Sequence, residues 1–416
     1  MERRFQLVGG VVAALLAGGM GTHASQQRGA PAAARWVTAW GASQQTLGPN
    51  ALSNTTVRMI ARVTASGDAV RIRIDNAFGT TPLTIGGASV GVRVRGAALA
   101  AGSSRPVTFQ KVATVTVPPA GTVTSDQVVM RVDAGEDLAI SLFVPESVRP
   151  SQHTAAQVTS YIGPDGAGDL TTDESATRFS GTVTSMLWLK AVDVLSSPST
   201  GAIVAFGDSI TDGTCSTVDA HDRWVDLLAL RLQLDARDRK AAGAHKAVVN
   251  EGIGGNTVTR EHLNPAPDSP PGTERLDRDV LSHHGVTHVI LFMGTNDVRR
   301  DASGAQVRAG IENIIKRVKA AGKKIVGVTI IPRHNQPASQ NNTGWNADKT
   351  RIRVELNQWI RTRAPFDSVI DFDQMVRDPV SPDLIYPPYG CGDGVHPSPF
   401  GYSEMGRSLP LISFNP

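Results

Sequence analysis

Two textures of hydrophobic patterning divide the chain. From Trp36 to about Ser196, short runs rich in Val, Ile and Thr alternate with turn residues. Val57–Val63, Ala69–Ile74, Ala88–Val94, Ala113–Val117, Val128–Val132, Leu138–Val144 and Met186–Val194 each read as a strand. Val70, Ile72 and Ile74 fall on one face, the alternation of a half-buried strand. Ser66-Gly67-Asp68 and Ala134-Gly135-Glu136 read as turns between strands. No stretch here has helical period. The pattern predicts an all-β sandwich of jelly-roll-like type over 36–196.

After Ser197-Pro198-Ser199-Thr200 the texture changes. Apolar runs without alternation occur at Ala202–Phe206, Ala247–Asn250, His288–Met293, Ile325–Ile331 and Val369–Asp371. Helical patterns separate them: Trp224–Leu234, Val307–Ala321, Asp348–Arg363 and Phe400–Leu411. Strands apolar on both sides and joined by helices predict a parallel sheet covered on each face, here an α/β domain over 201–416. In such a sheet functional residues gather at the carboxyl ends of the strands.

The chain has 416 residues, of which 40% are hydrophobic and 19% charged, which excludes a disordered protein. Its 41 basic and 38 acidic residues leave a net charge of +3 and no basic run, so no nucleic-acid partner is expected. Arg3 and Arg4 precede the uncharged stretch Leu7–Met20, and small residues follow at Thr22-His23-Ala24. Residues 1–24 read as a secretory signal peptide, too short to span a membrane. A secreted or periplasmic location without integral membrane association is expected, with 25–35 as a flexible lead-in.

The candidate chemistry begins where the first α/β strand ends, at Gly207-Asp208-Ser209. Alone, this tripeptide fits a helix cap as well as a nucleophile. Three later blocks change the reading. Asn250-Glu251-Gly252-Ile253-Gly254-Gly255-Asn256 lets backbone N–H groups approach a reacting oxygen. Gly294-Thr295-Asn296-Asp297 ends a strand with an amide side chain, an oxyanion donor whose loss costs roughly 3 kcal/mol. Asp393-Gly394-Val395-His396 supplies a base and a carboxylate to orient it. If Ser209 and His396 meet, Cys215 and Cys391 are brought together too, and a disulfide between them is expected.

This ordered set resembles the SGNH, or GDSL-type, hydrolase superfamily over about residues 201–411. The resemblance implies a flavodoxin-like three-layer α/β/α domain with a parallel sheet, and serine esterase chemistry. It implies Ser209 as nucleophile, His396 as general base and Asp393 as its orienter. The oxyanion hole would comprise the Ser209 amide, the Gly255 amide (with Gly254 as alternative) and the Asn296 side chain. No cofactor and no metal are implied.

The expected substrate is a small ester or an acetylated carbohydrate, with a polysaccharide deacetylase as one form of the activity. A lipase, phospholipase or aryl esterase is the alternative within the class. A non-catalytic carbohydrate-binding protein on a hydrolase scaffold is the alternative outside it. Asp208 and Asp297 read as scaffold groups that hold loop amides. The other histidines lack a motif like that around His396, and His283-His284 reads as a solvated pair at a helix end. Trp36 and Trp40 are spaced to share one face of an extended segment as packing residues. The loop 263–271 is expected to be stiff and to border the cleft. The loop 332–344 is expected to be polar and exposed.

Overall fold

The computed structural model describes residues 33–198, 200–238, 245–261, 263–334 and 344–414. The expected signal peptide and the lead-in up to residue 32 lie outside the described residues. Antiparallel sheets fill the region from Arg35 to Ser196. One sheet runs in the order Arg35–Gly41, Leu189–Ser196, Gly67–Asp75, Thr122–Thr124, with Val128–Val132 also on Gly67–Asp75. The other centres on Thr55–Arg62, Asp137–Val144 and Gly87–Arg95, paired residue for residue. Their inward residues, among them Val57, Met59, Ile72, Ile74, Ile140 and Val192, join one core.

Trp36 and Trp40 do not share a face as their spacing suggests. Trp36 pairs with Leu195 and Trp40 with Val192, across a bulge between Thr38 and Trp40. The extra residue reverses the alternation and turns the two indoles to opposite faces. Arg71 stacks over the Trp36 ring at 4.4 Å.

From Gly201 the sheet is parallel, in the order Lys246–Gly252, Gly201–Gly207, Val286–Phe292, Lys324–Val328, Ser368–Ile370. The first strand in sequence is thus second in space, and the chain runs outward from it in both directions. Connections reverse at its carboxyl end, where ligands of such sheets bind. Ile203 and Ala205 pack with Trp224, Leu228, Tyr402 and Met405, from helices Trp224–Asp238 and Pro399–Ser408. Ala202, Val204 and Phe206 face the other way, toward helices Gly304–Ala320 and Ala347–Thr362. That second core is continuous with the core of the β region, because strand Arg35–Gly41 packs on strand Lys246–Gly252. Ala34–Pro416 accordingly form one compact unit.

The β region also closes the free edge of the parallel sheet. Val248 N–H donates to Thr64 Oγ1 at 3.0 Å, a partner that an edge strand otherwise lacks. At the carboxyl end of the sheet one guanidinium joins the two regions. Buried Arg275 makes five hydrogen bonds: to Gly207 O, Glu251 O, Asn256 Oδ1, Asp279 Oδ2 and Ser43 Oγ, at 2.8–3.3 Å. The last lies in the β region. Phe206 packs under the guanidinium at 4.2 Å. Replacing Arg275 by Met keeps much of the volume but leaves these buried acceptors bare. The urea midpoint should fall by the equivalent of about 3–5 kcal/mol. A midpoint equal to that of the parent would show that the guanidinium does not join the regions.

Candidate active site

The strand Gly201–Gly207 ends in a turn that sets Ser209 at the start of a short helix, Ser209–Asp212. Asp208 is its N-cap and accepts from Ile210 N–H at 3.0 Å. The capping reading and the nucleophile reading of Gly207-Asp208-Ser209 therefore hold together, on neighbouring residues. Gly207 serves close packing: a Cβ there would overlap the Thr211 side chain. Gly213, in the left-handed region, ends the helix with its N–H on Ser209 O.

His396 comes to Ser209 from a loop 187 residues on. Ser209 Oγ lies 2.8 Å from His396 Nε2, and His396 Nδ1 lies 2.6 Å from Asp393 Oδ2. The Asp393 carboxylate also shapes the loop, since its Oδ1 accepts from Val395 N–H and His396 N–H at 2.9 and 2.8 Å. Because Nδ1–H donates to the carboxylate, Nε2 is left to accept the serine proton. Ser209 and His396 are 7% and 4% exposed. Burial pushes the Asp393 carboxyl up, but the bond and charge of His396 and the two backbone donors outweigh it. The group is held well below the usual carboxylate range.

Two covalent and polar ties hold the histidine loop on the serine loop. Cys215 and Cys391 form a disulfide, and Tyr402 Oη donates to Thr214 O at 2.7 Å. With both sulfurs in that bond, the nearby trio of Cys215, Cys391 and Asp393 is not a metal site.

Asn296 stands in the helix Thr295–Arg299, past the carboxyl end of strand Val286–Phe292. Its Nδ2 donates to Asn256 O at 3.0 Å, which leaves a second N–H, and its Oδ1 accepts from Arg333 Nη1 at 3.3 Å. Gly255, adjacent to Asn256, has φ +70°, a conformation that favours glycine; Gly254 does not. The structure thus brings Asn296 and the glycine block together. Asp297 fastens the same two segments, accepting from Val258 N–H and Thr259 N–H at 2.9–3.1 Å. Asp208 and Asp297 are scaffold groups in this sense. Burial pushes both carboxyls up to about 7, against the backbone bonds that lower them.

Other histidines have more structure around them than their sequence context shows. His283 is not solvated: it is buried, with Nε2 2.6 Å from Glu251 Oε1 and Nδ1 2.7 Å from Arg73 Nη2. His284 is part-exposed beside Asp193. The turn after residue 281 folds back onto strand Arg35–Gly41, as Thr38 N–H on His284 O shows, so His283 is buried against the β region and His284 is covered by it in part. His153, from the β region, reaches the serine helix: its Nε2 is 3.0 Å from Asp212 Oδ1 and its Nδ1 is 2.8 Å from Ser43 O. Burial lowers the pKa of His153, yet the charge and bond of Asp212 raise it overall. No spacing in the sequence marks these long-range pairs.

The loop 263–271 is helix-free, contains a cis Asn264–Pro265 bond, and is held by Arg300 through Pro265 O and Ala266 O. Of the loop 332–344, residues 335–343 lie outside the described residues. Arg333 is buried rather than exposed, because it packs under Asn296 and against Trp345.

A serine, a histidine and a carboxylate in one hydrogen-bonded chain, at the carboxyl end of a parallel sheet, define a hydrolase-type α/β site. Residues 205–403 match the model of the GDSL-like lipase/acylhydrolase family, and this segment belongs to that family. Among solved structures, the chain is similar to Est24, a carbohydrate acetylesterase from Sinorhizobium meliloti. The identity is 18%, over 51% of this chain and 96% of that one, at a TM-score of 0.39. It is similar to the lipase/acylhydrolase from Enterococcus faecalis, at 25% identity over 50% and 92% with a TM-score of 0.37. It is similar as well to the aryl esterase of M. smegmatis, at 18% identity over 50% and 96% with a TM-score of 0.36. No curated protein matches the chain. Among the described residues no helix is long and apolar enough to cross a membrane.

Two measurements test the site's physical chemistry. Unfolded, Asp208 titrates near 4, so from about pH 4 to 7 the folded state keeps a proton that the unfolded state has lost. The group's contribution to stability is whole below about pH 4 and lost as pH rises through about 7, at up to about 1.4 kcal/mol per unit. Asp208→Asn removes the titration and keeps an acceptor for Ile210. Denaturant midpoints should show the variant gaining on the parent across that window and levelling off above it. A constant difference would contradict the assignment. Separately, denatured protein without reductant should show no titratable thiol. Cutting the bond, which spans 176 residues, should cost up to about 5 kcal/mol on the chain-entropy account.

Proposed function

We propose that the protein is a secreted serine esterase that cleaves carboxylic esters with small acyl groups, acetylated polysaccharide among them. The observation that carries this is the chain Ser209 Oγ, His396 Nε2, His396 Nδ1, Asp393 Oδ2. Ser209 attacks the ester carbonyl while His396 takes its proton. Asp393, ionised at neutral pH, balances the imidazolium. The tetrahedral oxyanion rests on the Ser209 and Gly255 amides and the Asn296 side chain. His396 then protonates the leaving alcohol, and water attacks the acyl-serine with His396 as base. The bonds formed and broken are those of acyl transfer, which requires no metal or organic cofactor.

The near-complete burial of Ser209 and His396 supports a small acyl group over a long chain. The apolar stretch Leu7–Met20 and the disulfide support export. On this reading the parallel sheet and its helices form a flavodoxin-like three-layer domain over 201–416, with the jelly-roll-like sandwich over 36–196 in front.

Ser209→Ala should reduce hydrolysis of p-nitrophenyl acetate by about a thousandfold or more with an unchanged circular dichroism spectrum. A fluorophosphonate probe should label the parent and not the variant. Undiminished turnover, or labelling that survives the substitution, would refute the assignment.

A further inference from the structure

Two guanidinium groups lie against the candidate oxyanion donors, and a third belongs to the helix that carries Asn296. Arg299 lies three residues after Asn296 in the helix Thr295–Arg299, one turn along the same face. Arg300 follows it, with its Nη2 4.0 Å from where a Cβ on Gly255 would stand. Arg333 holds the Asn296 side-chain oxygen.

These cations repel one another. The Arg299 pKa is lowered by burial and by the charge of Arg300, with only Asp268 opposing. Arg333 is pushed down to about 9, by burial first and then by Arg299; Asp208 and Asp393 oppose, and Arg300 adds to the lowering. Arg300 is 6% exposed and spends its Nη1 on two carbonyls. Neither Arg299 nor Arg300 forms an ion pair with a carboxylate among the described residues, and the Arg299 guanidinium makes no hydrogen bond there. The scaffold needs Arg300 to pin the proline loop. It has no such use for the fork of Arg299, which is only half-exposed beside a buried like charge. A planar fork of this kind matches a carboxylate with two hydrogen bonds.

We propose that the ester processed at Ser209 carries an anionic group, a carboxylate, and that Arg299 is the residue that selects it. Arg300 and Arg333 add to the attraction. The proposal rests on the serine-esterase reading above. The carboxylate has two possible places: the end of a short acyl chain, or the alcohol, as in an acetylated acidic sugar.

The test compares matched esters on the full-length protein. For the acyl side, p-nitrophenyl hemisuccinate is set against p-nitrophenyl butyrate. For the alcohol side, 4-acetoxybenzoate is set against 4-acetoxybenzamide. In one pair the anionic ester should have the higher kcat/KM, by about tenfold to a hundredfold. Its KM should rise with ionic strength. Arg299→Gln should collapse the anionic-to-neutral ratio toward unity, and Arg299→Lys should restore part of it. Hydrolysis of the esters without preference for an anion, or a preference that survives Arg299→Gln, would overturn the inference and leave the esterase reading intact. Failure of the parent to hydrolyse any of the four would overturn both.

Discussion

The Arg275 guanidinium is the constraint on which the arrangement of the site depends. A buried cation is costly unless its donors are met and opposite charge stands near. Here the donors reach the end of the serine strand, the glycine block, Ser43 of the β region and the carboxylate of Asp279. The five acceptors are spread over four segments, two of them in the glycine block, so satisfying one group fixes these segments against each other. Burial still pushes the Arg275 pKa down to about 10, which leaves it charged at neutral pH. The rigidity of the serine turn comes from this convergence more than from the four-residue helix, which is too short to hold its own shape.

The β region is part of the same construction. His153 grips Asp212 at the end of the serine helix, and Thr64 completes the edge strand. A buried chain runs from Glu251 through His283 and Arg73 to Asp193. The His283–Arg73 link crosses between the regions, and parting them would leave its buried groups unsatisfied. The family match begins at residue 205, yet these partners of the matched segment lie well before it. The β strands therefore act as a wall that sets the position of the serine helix.

Much of this was legible from patterning. Expected and observed ends agree within a few residues for the five parallel strands, because strands buried on both faces are continuous apolar runs. Ser209, Asn296, Asp393 and His396 announced themselves by motif. The bulge between Thr38 and Trp40 was not legible, since one inserted residue reverses a face without altering composition. Nor were Arg275, His153 and Arg333: a single charged residue carries no period, and only the folded chain supplies its partners. The burial of His283 was misread for that reason. Adjacent histidines after a helix suit solvent equally well until Glu251 and Arg73 are brought to them.

Three carboxylates near Ser209 show how the fold assigns charge. Asp208 and Asp297 are wholly buried and receive backbone N–H bonds, yet both are pushed up to about 7. Asp393 is half-buried and receives two backbone bonds as well, yet falls well below the usual range. At Asp208 the backbone bond and the charges of Arg333 and Arg275 do not offset full burial, whereas at Asp393 the bond and charge of an imidazole at 2.6 Å, with partial access to water, do. The same comparison bears on the arginines. Asp208 and Asp393 attract Arg333, while burial, Arg299 and Arg300 push its pKa down to about 9. With Arg333 on the Asn296 side chain and Arg300 beside Gly255, these guanidiniums contribute to the field around the donors proposed for the oxyanion.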